Sequence, residues 1–219
     1  MKRRKVMMLA AMLATAGVAG RGEAQVVGMP VLQNAFANPG LTIGLDWGTG
    51  AGANAYGIAG AWAPTRAFVQ VSGGVALHDP DVGSKRTASG LRIMAPIPKV
   101  GGRNFGVAGF VGVGALRAGH GTETLIPIGA SVAYRRALGA TRGVSIYAAP
   151  FYSWSRFKQD SVSTSHGLVR FSVGVDAVVV PGFGLTVGYE GGARAHDGEP
   201  GPAGGLFGVG VSYALHRPR

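Results

Sequence analysis

Large apolar residues alternate with small or polar residues along most of the chain beyond residue 40. Segment 207–215 shows this clearly, and its large residues share one face: Phe207, Val209, Val211, Tyr213 and Leu215. A period of two indicates a β-strand with one apolar face. The same pattern predicts ten strands, at residues 40–48, 54–63, 66–77, 87–96, 103–115, 124–136, 143–155, 166–179, 183–194 and 204–215.

The face opposite the large residues is mostly Gly, Ala and Ser. In a soluble sandwich or lipocalin-like barrel this face would carry many charged side chains. Charged residues make up only 14% of this chain, against roughly 25% in average proteins. Small residues suit the inside of a narrow barrel. The sequence therefore predicts an all-β fold, a closed antiparallel up-and-down transmembrane β-barrel of about ten strands, with eight or twelve as alternatives.

The first 24 residues have the layout of a cleavable secretory signal peptide. A basic start at residues 2–5 precedes an apolar run over residues 6–20, and small residues stand three and one before a cut after Ala24. We therefore expect residues 1–24 to be removed and residues 25–219 to form the barrel domain. The chain contains no cysteine, so disulfide bonds contribute nothing to its stability.

The positive charge of the chain is better explained by lipid headgroups than by nucleic acid. The formal net charge is +11, and removal of residues 1–24 takes away five basic residues and one acidic residue, which leaves +7. The remaining basic residues are scattered, with no basic helix and no nucleic-acid-binding motif. Scattered Lys and Arg on a membrane protein favour contact with phosphate-bearing lipids.

The predicted connections alternate in length. The connections after the odd-numbered third, fifth, seventh and ninth strands are longer than those after the even-numbered strands, and they carry most of the histidines. Outer-membrane barrels have short periplasmic turns and longer external loops. We therefore expect both termini in the periplasm, the odd-numbered connections outside, and the last strand paired with the segment Leu41–Trp47.

Two sets of side chains have a predicted place in the barrel. Interior charges are expected to form either a salt-bridged network that fills the lumen or the polar lining of a pore; they are Asp46, Arg170, Asp176 and Glu190, with Arg92 and Arg135 as further members. Aromatic residues near strand ends are expected to form the two interfacial girdles of a membrane barrel; they are Trp47, Trp62, Tyr152, Trp154, Phe157 and Tyr213.

Candidate catalytic chemistry is confined to acids and histidines in the predicted loops. They are His78, Asp79, Asp81, His120, Asp160, His166, His196 and Asp197. A carboxylate can orient an imidazole that activates water, as in omptin-type outer-membrane proteases, but the spacing specifies no such site. No G-x-S-x-G nucleophile motif is present, and the glycine-rich segments 106–109 and 112–114 precede no helix that could bind phosphate. We assign no catalytic residue, metal site or cofactor.

The alternation over residues 25–219 and the amphipathic final strand resemble small bacterial outer-membrane β-barrel proteins, broadly of the OmpA, OmpX and OmpW types. The resemblance implies an outer-membrane location and contact with outer-membrane lipids and lipopolysaccharide. It also implies a monomer, delivered by periplasmic chaperones to the barrel-assembly machinery, which reads the final strand. A structural, adhesive or narrow-pore role is expected, with a small-solute porin and an omptin-like or lipid-modifying hydrolase as alternatives.

Overall fold

Ten antiparallel strands close into a barrel in the computed structural model of the chain. The structure describes residues 36, 39–50, 53–64, 68–81, 83, 85–98, 100, 104–119, 121–139, 142–193 and 205–215. No helix among these residues is long and apolar enough to span a membrane. The strands are β1 (Gly40–Gly50), β2 (Ala53–Ala63), β3 (Gln70–Pro80), β4 (Arg86–Pro96), β5 (Phe105–Ala118), β6 (Gly121–Ala137), β7 (Gly143–Gln159), β8 (Val162–Val180), β9 (Phe183–Gly192) and β10 (Leu206–Ala214).

The barrel closes through the pairing of β1 with β10. All other pairs join strands that are consecutive in sequence. Leu45 lies opposite Val211, and Trp47 lies opposite Val209. Beyond the end of β10, the Leu215 amide donates a hydrogen bond to the Leu41 carbonyl, at 2.8 Å. The predicted strand count, the up-and-down order and the closing pair are confirmed, and the ring of strands leaves no open sheet edge.

The predicted difference in loop length is wrong for the connections after β3, β5 and β7, whereas connection 193–205 after β9 is longer than those after the even-numbered strands. Connections 51–52, 119–120 and 160–161 follow odd-numbered strands and span only two residues each, as does 181–182 after β8. The reason is that β5 to β8 are 14 to 19 residues long and continue their ladders through segments expected to be loops. The outward face is polar in these extensions, so the alternation of outward apolar residues cannot detect them. The extensions all rise at the end opposite the termini, here called the far end.

The outer face of the wall is an apolar surface. Leu45 is 57% exposed, Ile128 56% and Val169 68%, and large apolar side chains face outward from every strand. On β8 the outward apolar residues run from Val169 to Val179, and ten steps of ~3.3 Å at a tilt of ~40° give a band ~25 Å tall. That is the height of the apolar band of a transmembrane barrel. A soluble protein would bury such a surface.

The inner face combines long side chains on one side with very short ones on the other. Phe110 of β5 and Phe151 of β7 both pair in register with Gly129 of β6, and their ring centroids are 6.1 Å apart. A Cβ on Gly129 would lie 2.8 Å from the Phe151 Cα, so glycine is needed beneath this aromatic pair. The opposite walls, β1, β2 and β10, present mostly Gly, Ala and Ser inward, which leaves room for the side chains that cross the lumen.

We expect Gly174→Ala to destabilise the barrel. Gly174 of β8 pairs with Tyr147 of β7, and an added Cβ would lie 2.5 Å from the Tyr147 Cζ. Overpacking of this kind costs roughly 1–3 kcal/mol. Urea unfolding of the protein in detergent micelles, followed by tryptophan fluorescence, measures the loss. Gly109→Ala is the matched control, because a Cβ there would meet nothing within 4 Å; equal midpoints for the two variants would contradict the prediction.

Candidate functional site in the barrel interior

A buried ion pair joins β8 and β9 inside the barrel. The Arg170 Nε donates to Glu190 Oε1 at 3.1 Å, and the two side chains are only 1% and 2% exposed. The Arg170 Nη1 also donates to the carbonyl of Ala193, at 3.1 Å, just beyond the end of β9. A charge taken out of water is strongly unfavourable unless it is paired and hydrogen-bonded. Each of the two charges therefore needs the other as a partner to be stable in the buried interior.

A second polar contact lies further along the same two strands. The Thr186 hydroxyl donates to Asp176 Oδ1 at 2.6 Å, and the two residues are register partners. Between this contact and the ion pair, the hydroxyl groups of Tyr147 and Ser172 are hydrogen-bonded to each other. Asp176, Glu190 and Arg92 all interact electrostatically with Tyr147. Tyr147 is therefore the side chain that connects the β8–β9 contacts with the basic residue on β4.

Arg92 enters the lumen from β4 and is almost completely buried. Its guanidinium lies over the Phe110 ring, 5.6 Å from the centroid, in a cation–π geometry. The Ser72 hydroxyl of the neighbouring β3 donates to the Arg92 carbonyl at 3.5 Å. Together with Tyr147, Arg170 and Glu190, Arg92 forms what we call the interior network. It occupies the middle of the barrel on the side of β4 to β9.

Asp46 lies on the inner face of β1, away from that network. Its side chain is buried, and a Cβ on its register partner Gly210 would collide with the carboxylate. The glycine on β10 therefore makes room for Asp46. Its Oδ2 atom makes no hydrogen bond to the described part of the chain. The structure thus places Asp46, Arg170, Asp176 and Glu190 all on the inner face, and of these four it pairs Arg170 with Glu190.

Phe36, which precedes β1, packs against the inner face near the end of the barrel where the termini lie. Phe36 is partly buried against an apolar cluster that includes Met94 and Phe110. The Arg135 guanidinium of β6 lies 4.4 Å from the centroid of the Phe36 ring, and a Cβ on Gly106 would lie 2.8 Å from its Cε1. Sequence reasoning missed Phe36, because a single aromatic residue outside every strand has no periodicity to reveal it.

Within the described part of the chain, the predicted acids and histidines are divided between opposite walls of the barrel, with Asp79 and Asp81 at the end of β3 and just beyond it. His78 was expected in a loop, but β3 extends through it and buries it on the inner face. His166 faces inward from β8, five strands away from β3 around the ring of ten, and therefore on the opposite wall. Asp160 lies in the turn between β7 and β8, while His120, His196 and Asp197 lie outside the described residues.

Two further polar side chains meet on the inner face toward the far end. Glu123 of β6 is buried and hydrogen-bonded to Ser155 of β7, with Arg86 of β4 near enough to interact electrostatically. The sequence pattern predicts Glu123 in a loop, because Thr and Glu replace the apolar positions that identify a strand. Among the described residues, no group of three or more His, Asp or Glu side chains is arranged to hold a metal ion.

The predicted girdle aromatics fall into two groups on the outer face. Trp47, Tyr152 and Trp154 face outward toward the far end, and Trp62 and Tyr213 face outward toward the end with the termini. Phe157 differs from them, because it alternates in phase with the buried Ser153 and Ser155 and so belongs to the inner face. The prediction that Phe157 lies in a girdle is therefore wrong. Beyond Trp154, the outward residues of β7 are basic.

Known proteins that are similar to this chain are found among solved structures. No family model matches the chain, and no curated protein matches it. Among solved structures, it is similar to the KdgM porin in complex with disordered oligogalacturonate, with a TM-score of 0.44, 9% identity, and coverage of 80% of this chain and 99% of that one. It is also similar to the translocator domain of the autotransporter NalP from Neisseria meningitidis, with a TM-score of 0.45, 14% identity, and coverage of 82% and 90%.

We expect removal of one partner of the buried ion pair to be costly. Arg170→Met should destabilise the barrel by roughly 3–5 kcal/mol, because it leaves the Glu190 carboxylate buried without its partner. The double variant Arg170→Met with Glu190→Leu should recover much of this loss, since neither charge remains. Urea unfolding in micelles gives both values. Lys85→Met is the control, because its pair with Asp79 is exposed and worth at most about 1 kcal/mol; equal losses in the two single variants would refute the argument.

Proposed function

We propose that this protein is an integral outer-membrane β-barrel with a filled lumen and a structural role in the cell envelope. The observation that carries the proposal is the contrast between its two faces. The outside is apolar around the whole ring, whereas inward-facing residues such as Ala59, Ala108 and Ser131 are no more than 2% exposed. A water-filled pore would leave the side chains of its inner wall exposed to solvent.

The direction of insertion follows from the two ends of the barrel. The start of β1 and the end of β10 lie at the same rim of the barrel. In outer-membrane barrels that rim is periplasmic, and the larger extensions are external. The hairpins β5–β6 and β7–β8 would therefore project from the outer surface of the cell. The outward face of β10, with Phe207, Val209 and Tyr213, would serve as the strand read by the assembly machinery.

A narrow channel is the second candidate function. It is favoured by the fact that Phe36, which packs inside one end of the lumen, belongs to no strand of the wall. Its side chain can therefore change position without any strand being unpaired. The proposal includes no catalytic activity, because the two histidines that the structure describes, His78 and His166, lie on opposite walls of the barrel.

Membrane insertion is tested by fractionation and gel migration. We expect the protein in the outer-membrane fraction, with unheated samples migrating differently from boiled ones, because a closed barrel resists detergent until it is heated. Recovery in the soluble periplasmic fraction would overturn the proposal. This test does not depend on whether the lumen conducts.

Conductance in planar lipid bilayers separates the two candidates. For a filled barrel we expect no reproducible open current, and Phe36→Ala should change nothing, because Phe110, Tyr147 and Arg92 still occupy the middle of the lumen. For a channel gated by Phe36, the same variant should raise the frequency of opening. Phe183→Ala, on the outer face of β9, is the control for the loss of an aromatic ring. A steady current through the wild-type protein would reject the filled barrel.

A further inference from the structure

The outer surface of the barrel has a depression, or hollow, that extends from β2 to β5, in the half of the barrel nearer the far end. The hollow has a volume of about 740 Å³. Its apolar side is formed by Tyr56 and Ile58 of β2 with Leu77 of β3, and its other end is formed by Thr87 of β4 with Arg117 of β5. Most of the residues that line the hollow face outward from the barrel. The hollow is therefore a groove on the outer surface and is not part of the lumen.

Short side chains create this groove. Ser89 of β4 is the register partner of both Val75 and Ala115 on the neighbouring strands. These three outward residues are smaller than the tyrosine and isoleucine of β2 beside them. The groove is therefore built into the ladder of paired strands, and it does not depend on a flexible loop. It is apolar where it crosses the lipid band and polar where it reaches the far end.

Basic residues continue from the polar end of the groove across the extended strands. One row of register partners around the outer wall runs Thr87, Arg117, Thr122, Lys158 and Ser163. Arg117 and Lys158 lie two strand spacings apart, about 10 Å, with hydroxyl side chains on both sides of each of them. We call this row the basic row, and we include in it Arg156, which lies two residues before Lys158 on the same face of β7. Arg156 Nε donates to the Ser163 hydroxyl at 3.0 Å.

The charge on the outward face of the described extensions of β5 to β8 is of one sign, and the exposed Asp81 lies outside them, just beyond β3. Arg117, Arg156 and Lys158 are the charged residues that face outward from the described extensions of β5 to β8, and all three are exposed. The outward carboxylate at the end of β3, Asp79, is paired with Lys85 at 3.1 Å, and Asp160 lies beyond the row, in the turn at the tip. Phosphate is the anion that basic residues meet at the edge of a membrane.

We propose that the groove and the basic row together bind lipopolysaccharide of the outer leaflet. One acyl chain lies in the groove against Tyr56 and Leu77, and the phosphates of the headgroup contact Arg117 and Lys158. The distance between Arg117 and Lys158, about 10 Å, is wider than a single phosphate, which favours a lipid with more than one phosphate over a simple phospholipid. This inference rests on the proposed outer-membrane location, with the far end outside the cell.

The test measures lipid binding to the full-length protein, refolded in detergent micelles. Native mass spectrometry counts bound molecules when lipopolysaccharide, its dephosphorylated form, or phosphatidylglycerol is added. We expect lipopolysaccharide to bind best. The triple variant Arg117→Ala, Arg156→Ala and Lys158→Ala should bind it at least tenfold more weakly, since each basic residue near an anionic headgroup contributes about fivefold in affinity. The same variant should bind the dephosphorylated lipid as the wild type does.

A second variant tests the groove independently of charge. Ala115→Phe with Ser89→Phe fills the groove and should weaken binding of lipopolysaccharide and of its dephosphorylated form alike. The controls are Arg136→Ala, which removes an outward arginine at the opposite end of β6, and Val173→Phe, which enlarges an outward residue of β8. Neither control should change binding. Unchanged lipopolysaccharide binding in the triple variant, or equally tight binding of phosphatidylglycerol, would overturn the inference.

Failure of this inference is distinguishable from failure of the proposed function. Each variant is first checked for heat-modifiable migration and for recovery in the outer-membrane fraction. If the wild-type protein does not insert, the proposed function fails. If it inserts but binds lipopolysaccharide no better than the triple variant does, only the lipid site is rejected, and the barrel remains an outer-membrane protein.

Discussion

The rest of the structure depends on the closing ladder between β1 and β10. A backbone N–H or C=O group left without a partner in hydrocarbon costs several kcal/mol, so a sheet that crosses a membrane cannot keep an open edge. Here the first and last strands satisfy each other over Thr42 to Thr49. Once the ring is closed, each strand has a fixed inner and outer side. The apolar band, the buried charges and the outer groove all follow from that division.

The interior follows a second constraint, which is that the ring of ten strands must be filled from its own wall. Long side chains enter from β4, β5, β7 and β8, and glycine or alanine faces them where they need room. Gly129 lies beneath the pair of Phe110 and Phe151, and Gly174 lies beneath Tyr147. The unusual glycine content, 39 of 219 residues, is therefore partly a consequence of packing aromatic and charged side chains into a narrow lumen.

Several features of the site could not be predicted from the sequence, for physical reasons that differ from one to the next. The extensions of β5 to β8 carry polar residues on the outward face, so hydrogen bonding alone reveals them. For the same reason His78 and Glu123 were expected in loops and lie in strands. Phe36 reaches its place through a long-range contact with Arg135, and no local pattern encodes such a contact. The basic row arises only because register brings Arg117 and Lys158 to the same level.

The sequence by itself determined the approximate positions of the strands, their order and the two faces of the wall, because a period of two records which side of a sheet each residue occupies. It thereby placed Asp46, Arg170, Asp176 and Glu190 on the inner face and the five outward girdle aromatics on the outer face. Only the tertiary structure decided which of these residues meet. Partnership depends on register between strands and on strand length, and both are set when the ring closes. For that reason Arg170 pairs with Glu190, while Asp46 lies apart from them on β1.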